Sequence, residues 1–327
     1  MSSYWNNYPT IHAKIQNVCT LIKQRAHVRN PEIETAIIDL SLAGGKYLRP
    51  AFFFLFAEFG EQKDPIEEAK LTKIATSIEI LHMATLIHDD IIDDSPLRRG
   101  NMSIQAKYGK DTAVYTGDLL FTIFFELVLE SMNGSTYLEV NARAMKRILM
   151  GELDQMHLRY NQQQTLHDYL RSTSGKTAEL FRLASIEGAY FGGADPIVVR
   201  LAGKIGLNIG IAFQMLDDIL DYTAASTDFN KPVLEDLTTG VFTLPLLMAL
   251  HKNPAVFKPL LDKKTQMTIS DMHQVQKLVI ANDGVQLARE LAAKFTKKAL
   301  MDVKRLPKGE TRKQLLKITK YLLRRTI

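Results

Sequence analysis

The chain has 327 residues, of which 46% are hydrophobic and 24% are charged, and these fractions exclude an intrinsically disordered chain. The formal net charge of +5 is interpreted as that of a mildly basic protein with no nucleic-acid partner. The single cysteine, Cys19, excludes an internal disulfide and makes a zinc site improbable.

Apolar residues recur at helical spacing almost throughout the chain, and strand-like alternation is rare. The pattern therefore predicts an all-α protein of about ten or more helices. Proline, glycine and asparagine mark the predicted breaks, which are Asn30-Pro31, Gly44-Gly45, Gly60 to Pro65, Asn133-Gly134, Gly192 to Pro196, Asn230-Lys231-Pro232 and Leu306-Pro307. Because none of these breaks is a long linker, residues 1–327 are predicted to form one domain.

The N-terminus lacks a basic stretch followed by an apolar core, so no signal peptide is expected. The most apolar runs, such as Ala51 to Ala57, are shorter than the roughly 20 residues of a membrane-spanning helix. We therefore expect a cytoplasmic protein without a membrane span.

The first candidate site in chain order is Gly44-Gly45-Lys46-Tyr47-Leu48-Arg49-Pro50. A flexible turn before two cations suits an anion, because glycine leaves room where a phosphate approaches. A basic helix cap is an equally simple interpretation of the segment alone.

Two aspartate clusters follow inside apolar helical sequence, at Asp89 to Asp94 and at Asp217 to Asp221. Residues four apart share a helix face, so Asp89 pairs with Asp93, and Asp217 pairs with Asp221. If the two helices face each other, the carboxylates form an oxygen-rich site for Mg²⁺, which binds one or two carboxylates together with substrate phosphates. For a single cluster, a salt-bridged helix end would be a sufficient explanation.

Several weaker candidates accompany these clusters. Arg98 and Arg99 follow the first cluster and suit forked hydrogen bonds to phosphate. Lys176, Gln214 and Lys231 are further polar candidates. The glycines between residues 203 and 210 fit no nucleotide-binding loop and are predicted to allow close helix packing. The basic segment from Lys294 to Arg325 is interpreted as a solvated helix face that would also suit anionic substrates.

The three main motifs resemble those of the trans-isoprenyl diphosphate synthases. In the family's order, the chain has Gly-Gly-Lys-Tyr-Leu-Arg-Pro from Gly44, His-Asp-Asp-Ile-Ile-Asp-Asp-Ser-Pro-Leu-Arg-Arg-Gly from His88 and Phe-Gln-Met-Leu-Asp-Asp-Ile-Leu-Asp-Tyr from Phe213. Tyr115-Thr116-Gly117-Asp118 adds a likeness to long-chain bacterial members, including the catalytic component of heptaprenyl diphosphate synthase.

The resemblance implies a bundle of antiparallel helices around a deep central cavity, and head-to-tail transfer of an allylic prenyl diphosphate to isopentenyl diphosphate. It also implies three Mg²⁺ ions per active site, held by Asp89, Asp90, Asp93, Asp217, Asp218 and Asp221. The residues implied at the allylic diphosphate are Arg98, Lys176, Thr177, Gln214 and Lys231. The residues implied at isopentenyl diphosphate are Gly45, Lys46, Arg49, His82 and Arg99.

Product length is expected to depend on Ala84 and Thr85, which precede Asp89 by five and four residues. Short-chain members of the family resemble one another in having an aromatic residue there, so these small residues predict a product of twenty carbons or more. The alternative is that Ala84 merely packs against a neighbouring helix. In that case Ile80 or the segment from Phe121 to Phe125 closes the tunnel.

Three departures from the family pattern qualify the resemblance: Asn230 replaces a glycine, Val241 replaces a lysine, and Tyr47 stands where arginine is common. A terpene cyclase and a non-catalytic, diphosphate-binding subunit are the competing interpretations of the chain. The family resemblance implies a homodimer, and the likeness to a two-component enzyme leaves open a heteromer with a small subunit.

Overall fold

The computed structural model describes residues 3–42, 45–61, 65–223 and 234–323. The described chain is almost entirely helical, which confirms the all-α prediction. The α-helices are α1 (Pro9–Arg25), α2 (Pro31–Leu42), α3 (Leu48–Ala57), α4 (Pro65–Ile92), α5 (Ile104–Tyr108), α6 (Lys110–Met132), α7 (Tyr137–His157), α8 (Leu166–Thr173), α9 (Glu179–Phe191), α10 (Pro196–Thr223), α11 (Glu235–Thr238), α12 (Leu244–Lys252), α13 (Pro254–Leu261), α14 (Ile269–Ala281), α15 (Gly284–Arg305) and α16 (Glu310–Leu322).

Short elements complete the described fold. Two 3₁₀ turns span Ser3–Asn7 and Lys264–Gln266, and a π-helical turn spans Ser174–Ala178. A hairpin consists of β1 (Leu97–Arg98) and β2 (Asn101–Met102). The sequence pattern did not predict this hairpin.

Three of the predicted breaks end in a proline that begins a helix, and the break at Asn230-Lys231-Pro232 lies outside the described residues. Pro31, Pro65 and Pro196 each begin a helix, because proline's fixed φ suits the first turn and its missing N–H would have no partner there. The chain divides into two compact units, Met1–Ala142 with Leu183–Gly203 and Arg143–Arg182 with Lys204–Ile327. The expectation of a single domain and of a central cavity stays a prediction.

The core of the first unit centres on α3 and α4. Phe52, Phe53, Phe54 and Phe56 are fully buried, so α3 is apolar around its whole circumference, as a helix buried on all sides must be. The long helix α4 packs along α6. At Gly117 on α6, an added Cβ would lie 2.5 Å from the His88 ring, so a side chain there would displace the ring or separate the helices.

The core of the second unit joins α12 to α15. Leu244, Leu246, Leu247 and Leu250 of α12 are buried. At Gly210 on α10, an added Cβ would lie 2.5 Å from the Ala178 Cα. This contact confirms that the glycine-containing segment is a closely packed helix and not a nucleotide-binding loop.

Within the described residues, α6 and α10 are long and apolar enough to cross a membrane by length and composition. Of their most apolar windows, 44% and 56% are buried in the protein. Core helices of globular proteins pass the same test, so the finding is weak evidence for a membrane span.

An ion-pair cluster at Glu130 gives the first testable prediction. Arg25 donates to both carboxylate oxygens at 2.7 Å, and the Lys73 Nζ lies 2.9 Å from Oε2. The Arg25 and Lys73 hydrogen bonds lower the pKa of Glu130 from 4.5 to about 2. We expect Glu130→Gln to reduce the free energy of unfolding by about 0.5–1 kcal/mol at pH 7, the usual range for partly exposed pairs.

The sign of the pH dependence follows from the depressed pKa of the folded state. The stabilisation is fully present above the pKa of the unfolded glutamate and disappears as the pH falls through the folded pKa. The difference between the two proteins should therefore shrink between pH 4.5 and pH 2. Urea unfolding across this range measures it, with Asp111→Asn, an exposed carboxylate on the same helix, as the control. A difference that does not change with pH would contradict the assignment.

Candidate active site

The first aspartate cluster lies at the C-terminal end of α4. Asp89 and Asp93 are both partly exposed, and the Asp93 N–H donates to the Asp89 carbonyl at 2.9 Å. The helical turn therefore continues one residue beyond Ile92, and the two carboxylates project from one face as predicted.

Asp90 has a different environment from its neighbours. It is 3% exposed, and Arg98 donates to its Oδ1 from Nε at 2.7 Å and also from Nη2. Burial raises the pKa of Asp90, and the Arg98 hydrogen bonds oppose this rise. The Asp90 Oδ1 thus accepts from Arg98, whereas Asp89 and Asp93 are more accessible.

Arg98 donates to Asp90 from the first strand of the β1–β2 hairpin. Arg99 and Gly100 form its two-residue turn with φ values of 52° and 84°, and positive φ at both positions is typical of a tight hairpin turn. Register pairs Arg98 with Asn101. The turn therefore places β2 alongside β1, and the Ser103 N–H donates to the Pro96 carbonyl at 3.0 Å.

The Gly-Lys-Tyr loop lies in the same unit. The Trp5 Nε1 donates to the Lys46 carbonyl at 2.6 Å, and the Tyr47 hydroxyl donates to the Ser41 carbonyl at 2.6 Å. An added Cβ on Gly45 would lie 2.9 Å from the Arg99 Nη1. The structure thus brings together Gly45 and Arg99, two members of the set predicted to bind a second diphosphate.

His82, on α4, lies in the electrostatic field of these cations. Desolvation lowers its pKa well below the usual value, and Arg49, Arg99 and Arg98 lower it further. The imidazole is therefore neutral at pH 7 and can donate one hydrogen bond.

Glu79 is a residue that the sequence reasoning missed. It is 3% exposed, and burial raises its pKa while Arg49 and Arg99 oppose the rise. Its position three residues before His82 in an apolar helix was an available signal, because carboxylates are almost never fully buried unless paired. Glu79 is thus a buried acidic group associated with the two arginines.

The second aspartate cluster lies on α10. Asp217 is partly exposed and Asp221 is exposed. Asp218 is buried and accepts three hydrogen bonds: from the Tyr169 hydroxyl at 2.7 Å, the Gln214 Nε2 at 2.9 Å and the Leu244 backbone N–H at 3.2 Å. Burial raises the pKa of Asp218, and these hydrogen bonds oppose the rise.

Tyr169 was also missed, because 49 residues separate it from Asp218 and no local pattern connects the two. We expect Tyr169→Phe to lower the free energy of unfolding by about 1–3 kcal/mol, since it leaves a buried acceptor one donor short. Thermal and urea unfolding measure the effect. The control is Tyr160→Phe, which removes an exposed hydrogen bond to the Thr238 carbonyl. Equal losses in both variants would contradict a special role for the buried bond.

The π-helical turn Ser174–Ala178 carries Lys176 and Thr177. The Thr177 hydroxyl donates to the Gln214 Oε1 at 2.8 Å, and the Lys176 Nζ lies 2.9 Å from the Glu152 carboxylate. Such turns are frequent at functional sites. The structure therefore joins the predicted residues Thr177 and Gln214 to Asp218 in one hydrogen-bonded network.

A cavity of about 100 Å³ in the second unit adjoins this network. Its lining includes Lys176, Thr177, Gln214 and Asp218, together with Val241. Val241, one of the departures from the family pattern, is thus an apolar member of a mixed lining that also contains Leu158 and Phe242. Lys231 and Asn230 lie outside the described residues.

The residues predicted to set product length lie on α4. Ala84 is fully buried. Thr85 is partly exposed, and its hydroxyl donates to the His82 carbonyl at 2.8 Å. The Phe121 ring lies 5.2 Å from the His88 ring, so the alternative floor on α6 also lies against this helix. The role of Ala84 and Thr85 stays a prediction.

Comparison with known proteins identifies the family that this geometry resembles. The polyprenyl synthetase family model matches residues 30–279. The chain is 33% identical to component 2 of heptaprenyl diphosphate synthase from Bacillus subtilis (strain 168), over 304 residues that cover 93% of this chain and 86% of the relative.

Solved structures similar to this chain are also prenyl diphosphate synthases. The geranylgeranyl pyrophosphate synthase from Lactobacillus brevis ATCC 367 is 44% identical, with a TM-score of 0.94 and 99% of both chains covered. The heptaprenyl diphosphate synthase from Staphylococcus aureus is 32% identical, with a TM-score of 0.89 and 97% and 99% of the two chains covered.

Proposed function

Since the chain belongs to the polyprenyl synthetase family, as its motifs predicted, we propose that its described site residues bind two diphosphate substrates. The chain is a magnesium-dependent prenyltransferase of isoprenoid biosynthesis. It condenses an allylic diphosphate with isopentenyl diphosphate to give an all-trans polyprenyl diphosphate, and a product of twenty carbons or more fits its relatives.

One observation carries the assignment of the allylic diphosphate. Two accessible carboxylate pairs, Asp89 with Asp93 and Asp217 with Asp221, occur on different helices of a chain from this family. Each pair has a buried aspartate beside it, Asp90 or Asp218, whose hydrogen bonds anchor it within its own unit. All six aspartates stay the proposed metal site: the accessible pairs are assigned to direct contact with the metal, and Asp90 and Asp218, with their hydrogen bonds, to its buried side.

The carboxylate pairs fit magnesium. Among the residues that the structure describes, no group of three or more acidic, histidine or cysteine side chains is placed to hold a metal. Mg²⁺ needs only one or two carboxylates, because water and substrate phosphates complete its shell. When bound, magnesium offsets the negative charge that develops on the departing diphosphate. The number of three ions remains part of the proposal.

Cationic and polar side chains complete the two diphosphate sites in this proposal. We assign Arg98, Lys176, Thr177, Gln214 and Lys231 to the allylic diphosphate. Gly45, Lys46, Arg49, His82 and Arg99 bind isopentenyl diphosphate, and a neutral His82 serves as a hydrogen-bond donor. The contact between Gly45 and Arg99 supports this grouping. Guanidinium groups suit the task, because they match phosphate oxygens with paired donors.

Apolar surroundings protect the reacting carbon. Departure of diphosphate leaves positive charge on the allylic group, and water would convert such a cation to an alcohol. Buried residues of α4, such as Ile80 and Ala84, supply an apolar wall that excludes water. In this proposal the released diphosphate, and not a protein side chain, accepts the proton lost after the new bond forms.

A homodimer is the proposed assembly. On α6, Phe125 and Leu129 are 45% and 56% exposed, and on α7, Leu149 and Leu153 are 46% and 58% exposed. The members of each pair lie one helical turn apart within their own unit, and we propose that such exposed apolar side chains contribute to the interface. The name of the relative, component 2, supports a second candidate, in which a small subunit covers such a surface. A cytoplasmic location stays a prediction.

The purified chain should be incubated alone with Mg²⁺, isopentenyl diphosphate and, in separate reactions, geranyl, farnesyl or geranylgeranyl diphosphate. We expect chromatography of the dephosphorylated products to show chains of twenty carbons or more, and EDTA to abolish them. Light scattering on the same sample measures the assembly, with a mass of two chains expected.

Other outcomes separate the alternatives. A terpene cyclase would consume one prenyl diphosphate without isopentenyl diphosphate. A non-catalytic subunit would form no product with any starter, and activity that appears only on adding a second protein would favour the two-component assembly. A product of fifteen carbons would contradict the proposed length.

A further inference from the structure

An apolar groove lies in the second unit, along α15 and beside the end of α16. It encloses about 310 Å³, which falls at the lower end of the range for small-molecule pockets. Leu216, Ala293, Leu300 and Met301 contribute to its lining, and Met301 is 57% exposed. The groove shares no described lining residue with the cavity beside Asp218.

The charged residues that line the groove have one sign. Arg289, Lys297 and Lys304 line it, and no acidic residue occurs among its described lining residues. These three cations all belong to α15 and are spaced eight and seven residues apart, so they follow one side of the helix over its length. A solvated basic face would account for the cations, but not for the apolar cavity between α15 and its neighbours.

We propose that this groove binds a polyprenyl diphosphate, with its prenyl chain on the apolar lining and its diphosphate at the cations of α15. Burial of an apolar chain is favourable in proportion to the area removed from water, and clustered cations favour a multiply charged head group. The inference rests on the proposed function, because the enzyme itself forms a molecule of this composition. The groove thus provides a second prenyl diphosphate site outside the catalytic residues.

Binding stoichiometry tests the proposal. Native mass spectrometry and calorimetry on the full chain with Mg²⁺ and geranylgeranyl diphosphate, without isopentenyl diphosphate, should give two molecules per chain. The variant Lys297→Glu/Lys304→Glu and the groove-filling variant Ala293→Trp should each bind only one molecule of geranylgeranyl diphosphate per chain. Lys294→Glu, an exposed lysine of the same helix that does not line the groove, should retain two. All three variants should condense substrates at the rate of the unmodified chain.

Separate ligands test the two parts of the recognition. Inorganic diphosphate and geranylgeraniol should each bind the groove at least tenfold more weakly than geranylgeranyl diphosphate. A single bound molecule in the unmodified chain, or equal losses in Lys294→Glu, would overturn the proposal. If the chain bound phosphatidylglycerol vesicles more tightly than geranylgeranyl diphosphate, and Lys297→Glu/Lys304→Glu abolished that binding, the groove would be assigned to a membrane surface instead. If the chain condenses its substrates but binds only one molecule of geranylgeranyl diphosphate, only the proposed groove site is wrong. If the chain does not condense its substrates, the proposed function is wrong.

Discussion

Asp89→Asn and Asp217→Asn are each expected to lower the rate of prenyl transfer by about 10³-fold, equivalent to about 4 kcal/mol of transition-state stabilisation. Each substitution replaces an accessible carboxylate, in a pair suited to Mg²⁺, by a neutral and much weaker ligand. Steady-state kinetics at several Mg²⁺ concentrations measure the effect. A higher Mg²⁺ requirement in both variants is expected together with the lower rate.

The matched control is Asp94→Asn in the same acidic stretch. Asp94 forms an ion pair with Lys110 at 2.9 Å, and its φ of 52° is tolerated by asparagine. We expect its activity to stay within about twofold of the unmodified chain, since an exposed ion pair contributes little. If Asp94→Asn lost as much activity as Asp89→Asn, general charge loss would explain the result and the metal assignment would be wrong.

Ala84→Phe is expected to shorten the product by one or more isoprene units. Ala84 is fully buried on α4, five residues before Asp89, and a phenyl ring there would occupy space that a growing chain would otherwise use. Product analysis with farnesyl diphosphate as starter measures the change. Overpacking a core position costs about 1–3 kcal/mol, so Ala84→Leu provides a smaller perturbation that should shift the product in the same direction.

Ala75→Leu is the control for overpacking. Ala75 is also fully buried on α4, and nine residues at 100° each place it on the face opposite Ala84. Its product should match that of the unmodified chain. Unchanged product length in a folded, active Ala84→Phe enzyme would favour the alternative that Ala84 merely packs against a neighbour and that a residue of α6 closes the tunnel.

The sequence by itself determined the helical class, the helix starts at proline and the aspartate motifs. These features are local: helical periodicity and proline's φ act within one or two turns, and residues four apart share a face in any helix. The backbone hydrogen bond from the Asp93 N–H to the Asp89 carbonyl, which continues the helical turn beyond α4, agrees with this reasoning for the first motif. Family membership also followed from three ordered motifs, because each is read directly from the chain.

Tertiary structure alone decided which aspartate of each motif is buried and which are accessible. Asp90 is buried and accepts from Arg98, which lies on the first strand of a hairpin eight residues further along the chain. Asp218 is buried because Tyr169 and the backbone of α12 donate to it across 49 and 26 residues. Burial and hydrogen bonding depend on which distant segments meet, and aspartates that are adjacent in the sequence therefore acquire different environments.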